Sequence, residues 1–296
     1  MSGVMGGVGG GVGGGVMNIA KASLRNAMHR RWKFALVVFL LGVGVVVLTH
    51  AYDMTGTFEL IQAAGQQVET EGAEPSVELV EGMARGAAMF ALFSLLNLAF
   101  GFGTTLFAFL MPGGIVADER RSGAIMLWAQ HPMPLRSFYL QRYLGIQVAT
   151  FAALAIFGLT GAVAALPPGV APTTELGGVA SIGLTGVLAC AISFAITALG
   201  IRRAALLGLL YYLLSGAVGS LLENPFLEAS ATAESVRTVL RFVIFPAGVI
   251  RDLVAGFGSG AAWDWGATGL AFYHFVLWTG IACLGLHRLE KRPLKL

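Results

Sequence analysis

Charge is scarce in this chain. Asp, Glu, Lys and Arg make up 12% of its 296 residues, against about 25% in an ordinary soluble domain, and that deficit excludes a water-facing globular surface of normal composition. Cysteine is nearly absent too. Cys190 and Cys283 each fall inside an apolar run, with no Cys-x-x-Cys spacing and no Cys/His pairing. They therefore read as small buried hydrophobes rather than disulfide partners or metal ligands. No phosphate loop, zincin pair or Gly-x-Ser-x-Gly elbow is present. The chain thus reads as a non-enzyme with no cofactor or metal of its own. Nor does a basic, aromatic-rich surface exist to stack bases, which excludes nucleic acid as a partner.

Hydrophobic residues supply 56% of the sequence, and mean hydropathy is +0.76. A membrane-crossing helix needs about 20 apolar residues, and the chain reads as an all-α, polytopic membrane protein with six transmembrane helices at about 34–52, 86–117, 144–166, 176–200, 204–222 and 266–286. Residues 1–16 are Gly/Val/Met low complexity and read as a flexible tail, with Met17 as an alternative start; residues 17–296 form one domain. From Asn18 to Lys33 a basic segment interleaves Lys21, Arg25, Arg30, Arg31 and Lys33 with Ile19, Leu24, Met28 and Trp32. This pattern predicts an amphipathic N-terminal helix lying along the membrane face. The first span lacks an Ala-x-Ala-like site at its end and reads as retained rather than cleaved.

Residues 53–83 carry seven acidic side chains without His or Cys and read as a solvated outer loop. The stretch Val236–Ile250 is interrupted by Arg237, Arg241 and Pro246, too short and too charged to cross. It predicts two short re-entrant helices between spans five and six, with Trp263 and Trp265 as an interfacial anchor. With both termini cytoplasmic, 15 of the 19 Lys and Arg fall on the inner side, as the positive-inside rule requires. That places the chain as a multi-pass protein of the cell inner (plasma) membrane. Asn97, Thr104, Tyr211 and Tyr212 are candidates for lining a path through the spans; helix packing accounts for them equally well. His274 reads as a helix–helix hydrogen bonder.

One connector stands apart. Asp118 to Gly145 opens with Asp118-Glu-Arg-Arg, passes through Ile125, Met126, Leu127 and Trp128, breaks at Pro132-x-Pro134 and continues through Arg136 and Arg142. A polar linker has no use for that apolar face, which predicts a short docking helix at the membrane surface. The pattern Glu119-Arg-x-x-Gly123-x-Ile125, then Pro132, Arg136, Arg142 and Gly145, resembles the segment after the second span in ABC-2 type transporter permeases. Those proteins show Glu-Arg-x-x-Gly-Thr-Leu, then Pro-Val-Ser-Arg, then Gly-Lys and Gly, at closely matching spacing. Ala124 replaces the usual Thr, and Arg136 follows one place after the position where Arg is common.

The resemblance implies the membrane half of an ABC exporter, with ATP hydrolysis on a separate ATP-binding subunit and a second permease chain, identical or related, completing the pathway. It implies that 118–136 is the coupling helix, with Glu119, Arg120, Gly123, Ile125, Leu127, Trp128, Pro132 and Arg136 meeting the ATPase. Two other classes stay open. A stand-alone secondary carrier normally shows intramembrane carboxylates or a repeated half, and the spans as drawn hold neither; an assembly or immunity protein would transport nothing.

Overall fold

The computed structural model describes residues 12–51, 77–130, 133–165, 176–222, 231–255 and 264–291. Among them are ten helices and no strand: α1 (Val12–Ala51), α2 (Val77–Leu110), α3 (Ile115–Ser122), α4 (Ala124–Ala129), α5 (Leu135–Ala165), α6 (Leu176–Ala198), α7 (Ala204–Leu222), α8 (Ala231–Arg241), α9 (Ala247–Ala255) and α10 (Trp265–Lys291). Residues 1–11, the acidic loop up to residue 76, Pro132, Trp263, and Arg292 and Lys295 of the basic tail lie outside the described residues.

Five helices are long and apolar enough to cross a membrane, through Arg31–Leu48, Val80–Leu110, Leu135–Thr160, Ala180–Ala198 and Trp265–Lys291. Their outward faces carry Leu36, Val37, Leu40, Leu95, Leu98, Val148, Phe151 and Leu284, all exposed. In water such a belt would be strongly unfavourable, and lipid tails solvate it at no cost. The sixth apolar helix, α7, has 19 residues, with its apolar run from Ala204 to Ser220.

Several boundaries differ from the sequence expectation, each for a local reason. The basic segment 18–33 does not form a separate surface helix: it is continuous with the first span in the 40-residue α1, because no proline interrupts Val12 to Ala51. Residues 12–16, expected in the flexible tail, are its first turns. Helix α2 stops at Leu110 rather than 117, since Pro112 cannot donate to the helix ladder and Gly114 takes φ 82°. At its other end α2 starts at Val77, inside the expected loop, and α5 starts at Leu135, nine residues before the expected third span.

Helix α6 is the axis of the bundle. Every residue from Leu188 to Ala198 is buried, and α6 packs against α2, α3, α5, α7, α9 and α10. Its Ala, Ser, Thr and Cys side chains let neighbours close in from all sides. The tightest approach is that of α10: a Cβ on Gly285 would lie 2.9 Å from the Ala198 carbonyl, so glycine is required there. Cys190 is buried in this core, with the Thr150 hydroxyl 3.8 Å from its Sγ.

The backbone between α8 and α9 leaves the helical pattern beside α7 and α10. Tyr211 donates its hydroxyl to the Val243 carbonyl at 2.6 Å, Ser215 Oγ accepts from the Phe245 N–H at 2.9 Å, and His274 Nε2 lies 2.9 Å from the Arg241 carbonyl. Backbone that leaves the helical ladder needs other partners, and two apolar helices supply them here.

Candidate functional site

The connector between α2 and α5 is not one docking helix but two, α3 and α4, meeting at Gly123. That residue takes φ 75° and both ends α3 and starts α4. Left-handed backbone costs a side-chain-bearing residue about 1–2 kcal/mol, so glycine sets the bend. Asp118 lies in the first turn of α3 and Arg120 and Arg121 in its last, matching the helix macrodipole at both ends. The start of α3 is tied to α6, where the Ala117 N–H donates to Thr197 Oγ1 at 3.3 Å.

Glu119 is the centre of the site. Its carboxylate turns inward onto α5. The Tyr139 hydroxyl donates to Glu119 Oε2 at 2.9 Å, and Arg142 forms an ion pair with Oε1. The paired side chains are 21% and 13% exposed, so this is a nearly buried bridge. The Arg142 guanidinium also stands 5.4 Å from the Phe138 ring centre and 5.8 Å from that of Tyr139, within cation–π range. Trp128 of α4 stacks on the other partner of this chain, Phe138, at 4.5 Å. A continuous set of contacts thus runs from α3 through Arg142 and Phe138 to α4, and the connector is bolted to the first turns of α5.

The residues of the expected apolar docking face differ in exposure. Ile125 is 1% exposed and belongs to the chain's own core. Trp128 is half-buried against Phe138. Only Leu127, 68% exposed, stays available to a partner, flanked by exposed Arg121, Ser122, Gly123 and Gln130. Arg121 keeps a loose 3.6 Å contact with Asp118. Arg120 reaches the α6–α7 turn, its Nη1 2.9 Å from where a Cβ on Gly200 would stand. The Arg136 side chain is exposed, while its backbone N–H donates to Glu290 Oε1 at 3.1 Å. A carboxylate there satisfies an orphan donor at the start of α5 and complements its dipole.

The four candidate path-lining residues do not come together. Asn97 is exposed on α2. Thr104 is buried, its hydroxyl donating to the Gly101 carbonyl at 2.8 Å. Tyr211 holds the α8–α9 turn, and Tyr212 meets Phe245 edge-on at 4.9 Å. Sequence reasoning overlooked Tyr139, Phe138 and Glu290 as site residues. The spacing of Phe138 and Tyr139 from Arg142, four and three places along a helix, was a usable signal; nothing local announces Glu290, which arrives from the far end of the chain. Among the described residues no group of His, Cys, Asp and Glu could hold a metal ion. The hydroxyl of Tyr139 on the Glu119 carboxylate, with the Glu119–Arg142 ion pair beside it, ties α3 to α5. Neither the protein-family models nor the curated proteins contain a match to this sequence.

Proposed function

We propose that the chain is the membrane-spanning permease subunit of an ATP-driven transporter of the ABC-2 type, an exporter that couples to a separate ATP-binding subunit through α3 and α4. The observation that carries this reading is the Glu119–Arg142–Tyr139 network. It joins the two ends of the stretch that resembles the ABC-2 pattern, giving those spaced residues a common task. A push on the exposed edge at Leu127 would travel through Glu119–Arg142 and Trp128–Phe138 into α5, and through Arg136–Glu290 into α10. Rigid elements moving as bodies are the usual carriers of such coupling.

The same reading makes α7 a sixth span. Its 19 residues rise about 28 Å at 1.5 Å each, close to the roughly 30 Å hydrocarbon core. It makes α8 and α9 a re-entrant pair on the outer side, since the turn joining them is bonded to residues near the middle of α7. Both termini then lie in the cytoplasm, with a second permease chain completing the pathway.

Two measurements test it. A thiol reagent applied outside intact cells should label Glu81→Cys and miss Ser122→Cys. Affinity-purified protein should retain an ATP-binding subunit whose ATPase rate falls when Leu127 is changed to Arg. Reversed labelling, or cargo movement in proteoliposomes driven by an ion gradient without ATP, would overturn the proposal.

A further inference from the structure

Helix α2 has two different edges. On one, Phe93 and Leu96 are half-buried against the core and Phe100 is buried. Helix α1 covers that edge, with Leu96 Cδ1 4.0 Å from where a Cβ on Gly44 would stand. About 100° round the helix, a second edge runs through Phe90, Ser94, Asn97 and Gly101, all exposed. Their spacing of four, three and four is that of a seam between two helices. Thr104, the next seam position, is buried, so the chain covers its own seam only toward Leu110.

Asn97 lies near the middle of the Val80–Leu110 span. Hydrocarbon offers a carboxamide no hydrogen bond, so lipid covers this residue poorly, although it suits Leu95 and Leu98 beside it. Gly101 stands one turn further on, and a Cβ there would meet nothing within 4 Å. The described residues of the chain make no use of its small size; a helix approaching from outside does. We infer that a second copy of this chain packs on this edge, α2 against α2, with the two Asn97 carboxamides hydrogen-bonded to each other.

Insertion and chemistry together select this occupant. All copies enter a bilayer in one orientation, so two copies related by an axis along the membrane normal bring identical residues together. A carboxamide carries both donor and acceptor and therefore satisfies its own twin, as the Ser94 hydroxyl also does. The inference rests on α2 being a membrane span, as the proposed function requires, and narrows the second permease chain to an identical one.

The test uses the full chain in native membranes, with Cys190→Ala and Cys283→Ala removing the two natural thiols. Under mild oxidation Ser94→Cys and Asn97→Cys should each give disulfide-linked dimers, and Leu95→Cys, on another face, should not. Association without a cross-link is read by energy transfer between labelled copies diluted in phosphatidylcholine vesicles. Asn97→Leu should weaken it about tenfold, a factor equivalent to about 1.4 kcal/mol. Asn97→Gln should keep most of it, and Gly101→Leu should abolish it by holding the helices apart. All three changes sit at exposed positions, so one copy still folds. Linking at Leu95→Cys as fast as at Asn97→Cys would overturn the inference, as would unchanged association in both Asn97→Leu and Gly101→Leu. Cross-linking of Asn97→Cys to a different protein instead of to itself would also overturn it. A chain that links at Asn97→Cys yet retains no ATP-binding subunit would sink the permease reading alone.

Discussion

Removing the Glu119 carboxylate should release α3 and α4 from α5. An exposed ion pair contributes about 0–1 kcal/mol, while breaking a buried one by deleting a partner costs about 3–5 kcal/mol. With side chains 21% and 13% exposed, Glu119 and Arg142 stand nearer the buried limit. Tyr139, wholly buried, also loses the acceptor 2.9 Å from its hydroxyl, and an unsatisfied buried hydroxyl costs about 1–3 kcal/mol. Part of this is offset because Arg142 keeps its two ring contacts. The net expectation for Glu119→Ala is a loss of about 2–3 kcal/mol, local to the connector. At tenfold per 1.4 kcal/mol the open form becomes about 30- to 150-fold more populated. Limited trypsin digestion at Arg120 and Arg121 reads that population directly, because cleavage needs the helix to open. Glu119→Gln, which still accepts from Tyr139, should fall between, and Arg121→Ala should not loosen the connector because its ion pair is solvent-screened. Wild-type cleavage rates in both Glu119→Ala and Arg142→Ala would refute the clamp.

Trp128→Ala removes the ring stacked on Phe138 and should lower connector stability by about 1–3 kcal/mol, whereas Leu127→Ala should leave the same digestion unchanged and weaken only retention of a soluble partner. Gly123→Ala should cost about 1 kcal/mol although nothing stands within 4 Å of the added methyl, since the penalty lies in its left-handed backbone; thermal unfolding in detergent would show it, and Gly123→Asn should be milder. Tyr211→Phe removes the hydrogen bond to the Val243 carbonyl, at about 0.5–1.5 kcal/mol, and should speed hydrogen exchange across 241–246 while α6 stays protected.

What could be read from the residues alone was whatever lipid and local chemistry dictate. An apolar run long enough to cross a membrane is a one-dimensional property, so the five long helices were legible without any fold. The breaks at Pro112 and Gly123 also have local causes, a missing N–H and a left-handed backbone, although the expected second span ran on to 117 and the expected docking helix ran through Gly123. The uninterrupted α1 was equally present, in the lack of proline from Val12 to Ala51, and a basic, amphipathic pattern obscured it. Tertiary structure decided which way side chains face. The pattern Ile125–Met126–Leu127–Trp128 states that the segment has apolar surface, but not whether the chain's own core or another protein covers it; Ile125 and Trp128 turn inward and Leu127 turns out. Glu119 could have met any cation, and Arg142 became its partner because α5 begins nine residues before its expected span and brings Tyr139 and Arg142 alongside α3. The Glu290 cap on α5 and the Tyr211, Ser215 and His274 bonds to the α8–α9 turn join residues 30 to 154 positions apart. Such pairings follow from how helices pack, a property no local stretch of the sequence contains.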